Sequence, residues 1–160
     1  MDRKMSAQIF DEKYALYKTT LFRIAYTYLK NSEDCEDILQ EVFIRLLTHS
    51  EEFESLEHEK HWLIRVTVNL CKNQLRSFWN RKRASLEEVS EFTEDSYDLE
   101  IMQLILNLPE KYKAVIYLYY VEDYKCREIA EILQLKESAV KMRLQKGRQL
   151  LKIQLTENMF

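Results

Sequence analysis

The scarcity of glycine and proline most constrains how this chain can fold. Its 160 residues include one Gly and one Pro. β-Hairpins and βα turns use these residues heavily, and the phosphate loops of nucleotide-binding enzymes need several glycines. With 46% hydrophobic residues, the chain can still bury a core. The sequence therefore predicts a nearly all-α protein, with room for one domain or two small ones.

The most informative stretch is residues 125–152, where two amphipathic helical patterns meet across a short polar junction. The apolar side of the first pattern comprises Ile129, Ala130, Ile132 and Leu133. The second has an apolar stripe at spacings of four, three and four, formed by Val140, Leu144, Gly147 and Leu151. A short helix, a tight turn and a second helix predict a helix-turn-helix whose second helix lies in a DNA major groove.

The face opposite this stripe is basic and carries amides. Between Lys136 and Lys152 there are six basic residues and one acidic residue. Lys and Arg bind phosphates, and Gln amides can address base edges. The predicted exposed face comprises Ser138, Lys141, Met142, Gln145, Lys146 and Gln149, with Arg143 and Arg148 on its flanks. The alternative is a solvated helix of a small bundle, because basic faces are common on such helices.

The first half of the chain contains three further helical patterns. The first spans residues 6–29. The second has Ser32 as its expected N-cap and runs to about His49, and its predicted buried residues are Ile38, Val42, Phe43, Leu46 and Leu47. The third begins near His58 and continues to about Arg83, with an inward side predicted to include Trp62, Leu63, Val66 and Leu70.

Charge is segregated along the chain, although the net charge is only −3. From Glu33 to Glu59 there are ten acidic residues and one basic residue, which favours a basic protein surface as a partner. From Lys72 to Arg83 there are five basic residues and no acidic one, interleaved with aromatics and amides. This composition suits contact with DNA, including unpaired bases. A basic helix end that complements its own dipole is the alternative.

Residues 84–100 hold seven acidic residues and no basic one, and helical periodicity fades there. We interpret this segment as an acidic linker between two small helical domains, 1–83 and 101–160. A merely solvated segment would have the same composition. Pro109 is expected in the first turn of the helix that follows.

The remaining features favour a cytosolic binding protein. Three isolated cysteines suit a reducing compartment, and no long apolar run or signal peptide predicts membrane insertion. His58 and His61 are spaced to share a helix face, with Cys71 further along, so a metal site is conceivable. A surface pair and a core thiol are the favoured interpretation. The sequence therefore predicts no metal, no cofactor and no catalytic residues.

Three motifs together resemble bacterial sigma factors of the extracytoplasmic-function (ECF, group IV) type. The acidic polymerase-binding helix of that family is matched by DCEDILQEVFIRLL (34–47). Its promoter-melting helix is matched by HWLIRVTVNLCKNQLR (61–76), and its C-terminal domain by residues 108–151. Two positions depart from the family, which often has Gly where Gln134 stands and Thr where Ala139 stands.

The resemblance implies a sigma factor rather than an enzyme. Such a protein binds RNA polymerase core, directs it to a promoter and assists strand opening. The implied core-binding residues, which would meet the coiled coil of the largest subunit, are Asp34, Asp37, Gln40 and Glu41. The implied contacts to the minus-ten element are Asn69, Lys72, Asn73, Arg76, Arg81, Lys82 and Arg83. Those to the minus-thirty-five element are Ser138, Lys141, Met142, Arg143, Gln145, Lys146 and Gln149.

The resemblance implies further partners and a place in the cell. The flap of the second-largest polymerase subunit and an anti-sigma factor are expected partners in addition to promoter DNA. The chain is expected in the cytoplasm, where a membrane-anchored anti-sigma factor would hold it at the membrane. A stand-alone helix-turn-helix repressor is the rival hypothesis. It needs no acidic docking helix and usually dimerises on a palindrome.

Overall fold

A computed structural model describes residues 6–77 and 96–158. These residues form seven α-helices and contain no β-strand, which confirms the predicted all-α class. Internal contacts divide the chain into two compact units, Met1–Lys82 and Arg83–Phe160, each with its own apolar core.

The N-terminal unit is a three-helix bundle. Its helices are α1 (Ala7–Leu29), α2 (Ser32–Thr48) and α3 (Leu56–Ser77), and each packs against the other two. The helix α1 begins where the Ser6 Oγ accepts a hydrogen bond from the Ile9 N–H at 3.2 Å. The centre of the bundle is formed by Leu21, Phe22, Leu29, Ile38, Val42, Leu46, Leu63, Ile64 and Val68, all buried.

The junction between α1 and α2 differs by one residue from the prediction. The N-cap of α2 is Asn31 and not Ser32, which is the first helical residue. The Asn31 Oδ1 accepts a hydrogen bond from the Asp34 N–H at 2.9 Å, and its Nδ2 donates to the Leu29 carbonyl at 3.1 Å. Asn is as good an N-cap as Ser, and its longer amide joins the end of α1 to the start of α2.

The helix α3 is rotated from its predicted orientation. Its buried stripe is Leu63, Ile64, Thr67, Val68 and Cys71, whereas Trp62, Val66 and Leu70 are only half-buried. The sequence pattern missed this stripe because it contains a polar residue. The Thr67 hydroxyl donates to the Leu63 carbonyl at 2.8 Å, which satisfies the group inside the core. The helix also begins at Leu56 rather than His58.

A buried polar contact joins α3 to α1. Glu59 is only 3% exposed, and its carboxylate accepts a hydrogen bond from the Tyr17 hydroxyl at 2.8 Å. The Lys13 Nζ forms an ion pair with the same carboxylate. A buried carboxylate needs such partners, since an unpaired buried charge is costly. Burial, reinforced by the bond to Glu59, raises the pKa of Tyr17.

The C-terminal unit contains four helices. They are α4 (Ser96–Leu106), α5 (Glu110–Tyr120), α6 (Cys126–Leu133) and α7 (Glu137–Asn158). The helix α4 begins five residues before the predicted domain start at 101, so residues 96–100 are helical rather than linker. Met102 and Ile105 are the buried side chains of its second half. Residues 84–95 of the predicted linker lie outside the described residues.

The predicted cores of α5 and α6 are confirmed. Val115, Ile116 and Leu118 are buried on α5, and all four predicted apolar positions of α6 are buried. Pro109 is the N-cap of α5 and precedes its first turn, one position earlier than expected. Its fixed φ suits a helix start at either position.

Gly147, the only glycine in the chain, marks a close approach between α5 and α7. A Cβ atom at this position would lie 2.7 Å from the Ile116 Cδ1 and 2.8 Å from its Cγ1. Glycine inside a helix costs about 1 kcal/mol relative to alanine. The close contact explains why a helix that carries only one glycine has it here.

Candidate functional site

The first candidate surface is the acidic face of α2, defined by Asp37, Gln40 and Glu41. All three side chains are exposed, as predicted, opposite the buried stripe of the helix. Glu41 is held by a hydrogen bond from the Arg45 Nε at 3.1 Å. Asp34 is different, because it is half-buried and its carboxylate accepts from the Asn31 Nδ2 at 2.7 Å. The geometry thus gives Asp34 a capping role and leaves the other three residues available to a partner.

Sequence reasoning missed the apolar continuation of this face. Ile44 is 53% exposed and follows Gln40 and Glu41 along the same side of the helix. Leu47, which the pattern predicted as buried, is 40% exposed because the core needs only Phe43 and Leu46 at this level of the helix. Exposed apolar residues beside charged ones are typical of protein interaction sites. Only the observed register could reveal these two, since Ile and Leu are also ordinary core residues.

The second candidate surface is the amide face of α3, defined by Asn69, Asn73 and Arg76. These residues are exposed and lie on one side of the helix at spacings of four and three. Lys72 lies beside them and is half-buried. Two amides and a guanidinium in one row present both donors and acceptors. The structure thus brings together four of the seven predicted minus-ten residues, and Arg81, Lys82 and Arg83 lie outside the described residues.

The third candidate surface depends on the turn between α6 and α7. Gln134 adopts the left-handed conformation, with φ 56° and ψ 48°. Such a residue costs roughly 1–2 kcal/mol when it is not glycine. The turn nevertheless closes, because the Leu135 N–H donates to the Ala130 carbonyl at 2.9 Å. Gln134 therefore supports the helix-turn-helix geometry in place of the glycine that is common there.

The basic face of α7 projects from this turn. All six residues predicted to lie on it are exposed: Ser138, Lys141, Met142, Gln145, Lys146 and Gln149. Met142, the apolar member of the six, is 69% exposed. Val140 and Leu144 are buried on the opposite side. The face offers cations for phosphates, an amide for base edges and an apolar side chain for a thymine methyl group.

The two arginines on the flanks of α7 differ in their surroundings. Arg148 donates from Nε to the Tyr120 hydroxyl, and its guanidinium lies 5.3 Å from the centre of the Tyr119 ring. Arg148 thus braces α7 against α5. Arg143 is half-buried and makes a long hydrogen bond of 3.5 Å from Nη1 to the Lys111 carbonyl. Lys111 was not among the predicted DNA-contacting residues, because it belongs to a helix 32 residues earlier in the chain.

Two histidines and one cysteine have contacts within the N-terminal unit that account for them. His49 stacks on Phe53 with ring centres 4.5 Å apart, and the His58 Nδ1 accepts from the Glu54 N–H. Cys71 is fully buried, and burial raises the pKa of its thiol. Among residues 6–77 and 96–158, no three His, Cys, Asp or Glu side chains meet as metal ligands would. Over the same ranges, no helix is both long and apolar enough to span a membrane.

Comparison with known proteins identifies the family of the chain. The Sigma-70 region 2 family matches residues 14–81, and the Sigma-70 region 4 family matches residues 98–151. The ECF RNA polymerase sigma factor SigW of Bacillus subtilis (strain 168) is 30% identical, over 97% of this chain and 93% of the relative. The chain belongs to the ECF sigma factors. A second relative, RNA polymerase sigma factor SigV of the same organism, is 34% identical over 88% of this chain and 87% of its own length.

Solved ECF sigma factor structures share the fold. RpoE of Bartonella quintana, crystallised with the anti-sigma factor NepR, superposes with a TM-score of 0.71 at 17% identity, over 92% of this chain and 96% of that one. CnrH, solved with the cytosolic domain of CnrY, gives 0.68 at 19% identity, over 95% and 90%. A sigma factor gives RNA polymerase its promoter specificity. This ECF sigma factor therefore acts in promoter-specific transcription initiation and is not an enzyme.

Proposed function

We propose that each of the three candidate surfaces of this ECF sigma factor has its own role in transcription initiation. The acidic face of α2 docks on polymerase core, the amide face of α3 captures a base of the minus-ten element, and the basic face of α7 reads the minus-thirty-five duplex. The observation that carries this proposal is the opposite charge of two exposed helix faces, α2 and α7, in separate compact units. DNA would repel the first face and attract the second.

Core docking uses charge for steering and apolar area for affinity. Asp37 and Glu41 suit a basic coiled coil of the largest subunit, and Ile44 and Leu47 add apolar area beside them. Asp34 acts indirectly, by holding the start of α2 against Asn31. The second unit, residues 96–158, would contact the flap of the second-largest subunit.

Asn69 is the residue proposed to hold an extruded base. Its amide can donate and accept hydrogen bonds at once, which matches the edge of an unpaired base. Extruding a base costs a few kcal/mol. The amide would therefore trap a base that strand opening has already exposed. Asn73 and Arg76, about one and two turns further along the same face, would contact the adjoining strand.

An anti-sigma factor is the proposed regulator. The solved neighbours RpoE and CnrH are bound to NepR and CnrY, respectively. A partner of this kind would cover the acidic face of α2 and the basic face of α7 and so block polymerase and DNA. We place the protein in the cytoplasm, where polymerase acts, with the membrane as a second location when the anti-sigma factor is anchored there.

Run-off transcription tests the function directly. Purified core polymerase and this protein should produce a discrete transcript from the promoter of its own operon, and core alone should not. Asn69→Ala should keep core binding and closed complexes but slow opening, seen as lost permanganate reactivity of promoter thymines. A premelted promoter should partly restore its activity.

Thermal unfolding separates this role from a structural one. Asn69 is exposed, so the melting temperature of Asn69→Ala should equal that of the wild type. If Asn69→Ala loses stability in step with transcription, the residue braces the fold instead. Normal opening by a stable variant would remove Asn69 from the mechanism. Absence of any core-dependent transcript would contradict the initiation function on this promoter.

A further inference from the structure

A basic cleft lies between the first turn of α5 and the basic face of α7. It has a volume of about 380 Å³ and is lined by Lys111, Tyr112, Ala139, Met142, Arg143 and Lys146. Three of these six residues carry a positive charge, and none of them is acidic. Lys111 and Lys146 are exposed, so their charges are accessible to a ligand from solvent.

The two helices are joined at this cleft. The Arg143 Nη1 reaches the Lys111 carbonyl at 3.5 Å, which ties the flank of α7 to the start of α5. The Lys111 Nζ lies 5.6 Å from the centre of the neighbouring Tyr112 ring. A guanidinium has five N–H donors, so one long bond leaves most of them for a ligand. Tyr112 can add one hydroxyl donor, but Lys111, Arg143 and Lys146 carry most of the side-chain donors and all of the positive charge.

Three clustered cations favour an anion, and the position of the cleft indicates which one. It adjoins Met142 and Lys146 of the face that is proposed to enter the major groove. Backbone phosphates border that groove, and they bind cations without regard to sequence. The volume of about 380 Å³ gives the cleft room for a hydrated phosphodiester group.

We propose that Lys111, Arg143 and Lys146 form a clamp for one phosphate of the strand bordering the minus-thirty-five major groove. The inference rests on the proposed function of α7 and adds a contact from a second helix. Arg143 and Lys146 approach the phosphate from α7, and Lys111 approaches it from α5. Because α5 packs on α7 at Gly147, the clamp also sets the depth at which α7 enters the groove.

Salt dependence of promoter binding tests the clamp. The probe is a duplex of the promoter that supports run-off transcription, bound by wild-type or Lys111→Gln holoenzyme in closed complexes. Affinity falls with salt with a log–log slope of about 0.9 per neutralised phosphate. Because Arg143 and Lys146 would still contact the phosphate, Lys111→Gln should lower the slope by less than about 0.9 and the affinity by less than about eightfold at about 0.1 M salt, with convergence near 1 M. Lys111→Arg should restore both values.

A matched lysine controls for net charge. Lys18 lies 5.5 Å from the centre of the Tyr14 ring in the N-terminal unit, much as Lys111 lies over Tyr112. Lys18→Gln removes the same charge and should leave the slope unchanged. Preference for the minus-thirty-five sequence should be unaffected by Lys111→Gln, because a phosphate contact carries no base information.

Other results would overturn the clamp, and they differ from failure of the proposed function. An unchanged slope in Lys111→Gln, with a lower slope in Lys146→Ala, would exclude Lys111 while α7 remains a DNA reader. Weakened core binding by Lys111→Gln would mean that the cleft contacts protein instead. If wild-type holoenzyme did not distinguish the promoter from a duplex with a scrambled minus-thirty-five element, the reading role of α7 would fail, and the clamp with it.

Discussion

The helices α2 and α7 are built alike and present opposite surfaces. Each buries an apolar stripe in its own unit and exposes a polar face. On α2 that face is acidic at Asp37 and Glu41 and then becomes apolar at Ile44 and Leu47. On α7 it carries Lys141, Gln145 and Lys146 beside the apolar Met142, and Ile153 is exposed three turns further along.

The difference indicates what each helix is suited to bind. Protein interfaces place apolar groups at the centre and charges at the rim, which matches the exposed side of α2. DNA interfaces are polar and strongly basic, which matches α7. Charge sign alone separates the two helices. The apolar residues of α2 further distinguish a docking surface from a merely solvated acidic helix.

Charge reversal on α2 should have the largest effect, because it removes the difference in charge between α2 and α7. Asp37→Lys with Glu41→Lys should weaken core binding at least about a hundredfold, about 2.8 kcal/mol at 1.4 kcal/mol per tenfold. Both side chains are exposed, so the fold should persist. Affinity for core can be measured by pull-down or fluorescence titration. Lys141→Glu with Lys146→Glu is the matched control, and it should abolish promoter binding but keep core binding. Equal core affinity for wild type and the α2 variant would rule out the docking role.

Substitutions at two neighbouring positions on α7 should separate base recognition from phosphate binding. Gln145→Ala should change which base is preferred in the minus-thirty-five element, by about 1–3 kcal/mol of discrimination if the amide is bidentate. Lys146→Ala should weaken binding to all sequences alike and lower the salt slope by about one. Competition binding with single-base variants at several salt concentrations measures both. If neither change has an effect at any salt concentration, α7 is not the reading helix.

Truncation of the apolar part of α2 should have a smaller effect that resists salt. Ile44→Ser should lower core affinity about tenfold, about 1.4 kcal/mol, because apolar burial is lost. The loss of core affinity in Ile44→Ser should be the same at low and high salt. The contribution of Asp37 and Glu41 to core affinity should shrink at high salt, because salt screens exposed charges. Met142→Ala, the corresponding change on α7, should leave core affinity unchanged. A loss in Ile44→Ser that disappears at high salt would contradict an apolar contact.

Gly147→Ala should affect the stability contributed by the buried stripe of α7 and leave DNA binding by its basic face unchanged. The added methyl group would overpack Ile116, at a typical cost of about 1–3 kcal/mol, against a helix-propensity gain of about 1 kcal/mol. We expect a net loss of about 1 kcal/mol, measured by urea unfolding, with promoter affinity of the folded protein nearly unchanged. Ile116→Val in the same chain should relieve part of the loss, since it removes the Cδ1 atom. A stabilised variant would mean that Ile116 moves aside freely.

Helices, buried stripes and charge were largely predictable from the sequence because they depend on periodicity and composition. The buried residues of α6 appear as predicted because its pattern is strongly amphipathic, and on α7 Val140, Leu144 and Gly147 are buried as predicted while Leu151 is half-buried. The pattern of α3 failed in part because Thr67, a polar residue, occupies a core position that apolar periodicity ignores. The predicted start of α4 was wrong because composition alone does not locate the start of a helix in an acidic segment.

The sequence by itself determined an all-α chain with an acidic helix in one half and a basic helix-turn-helix in the other. Only the tertiary structure decided which side chains of these helices remain accessible. In the folded protein, Ile44 and Leu47 are exposed, and Asp34 accepts a hydrogen bond from the N-cap residue Asn31. Arg148 donates a hydrogen bond to Tyr120, and Arg143 donates one to the Lys111 carbonyl. The Asp34 cap is local, since Asn31 is three residues away, but the other outcomes depend on packing between helices, and periodicity describes only the neighbours along one helix.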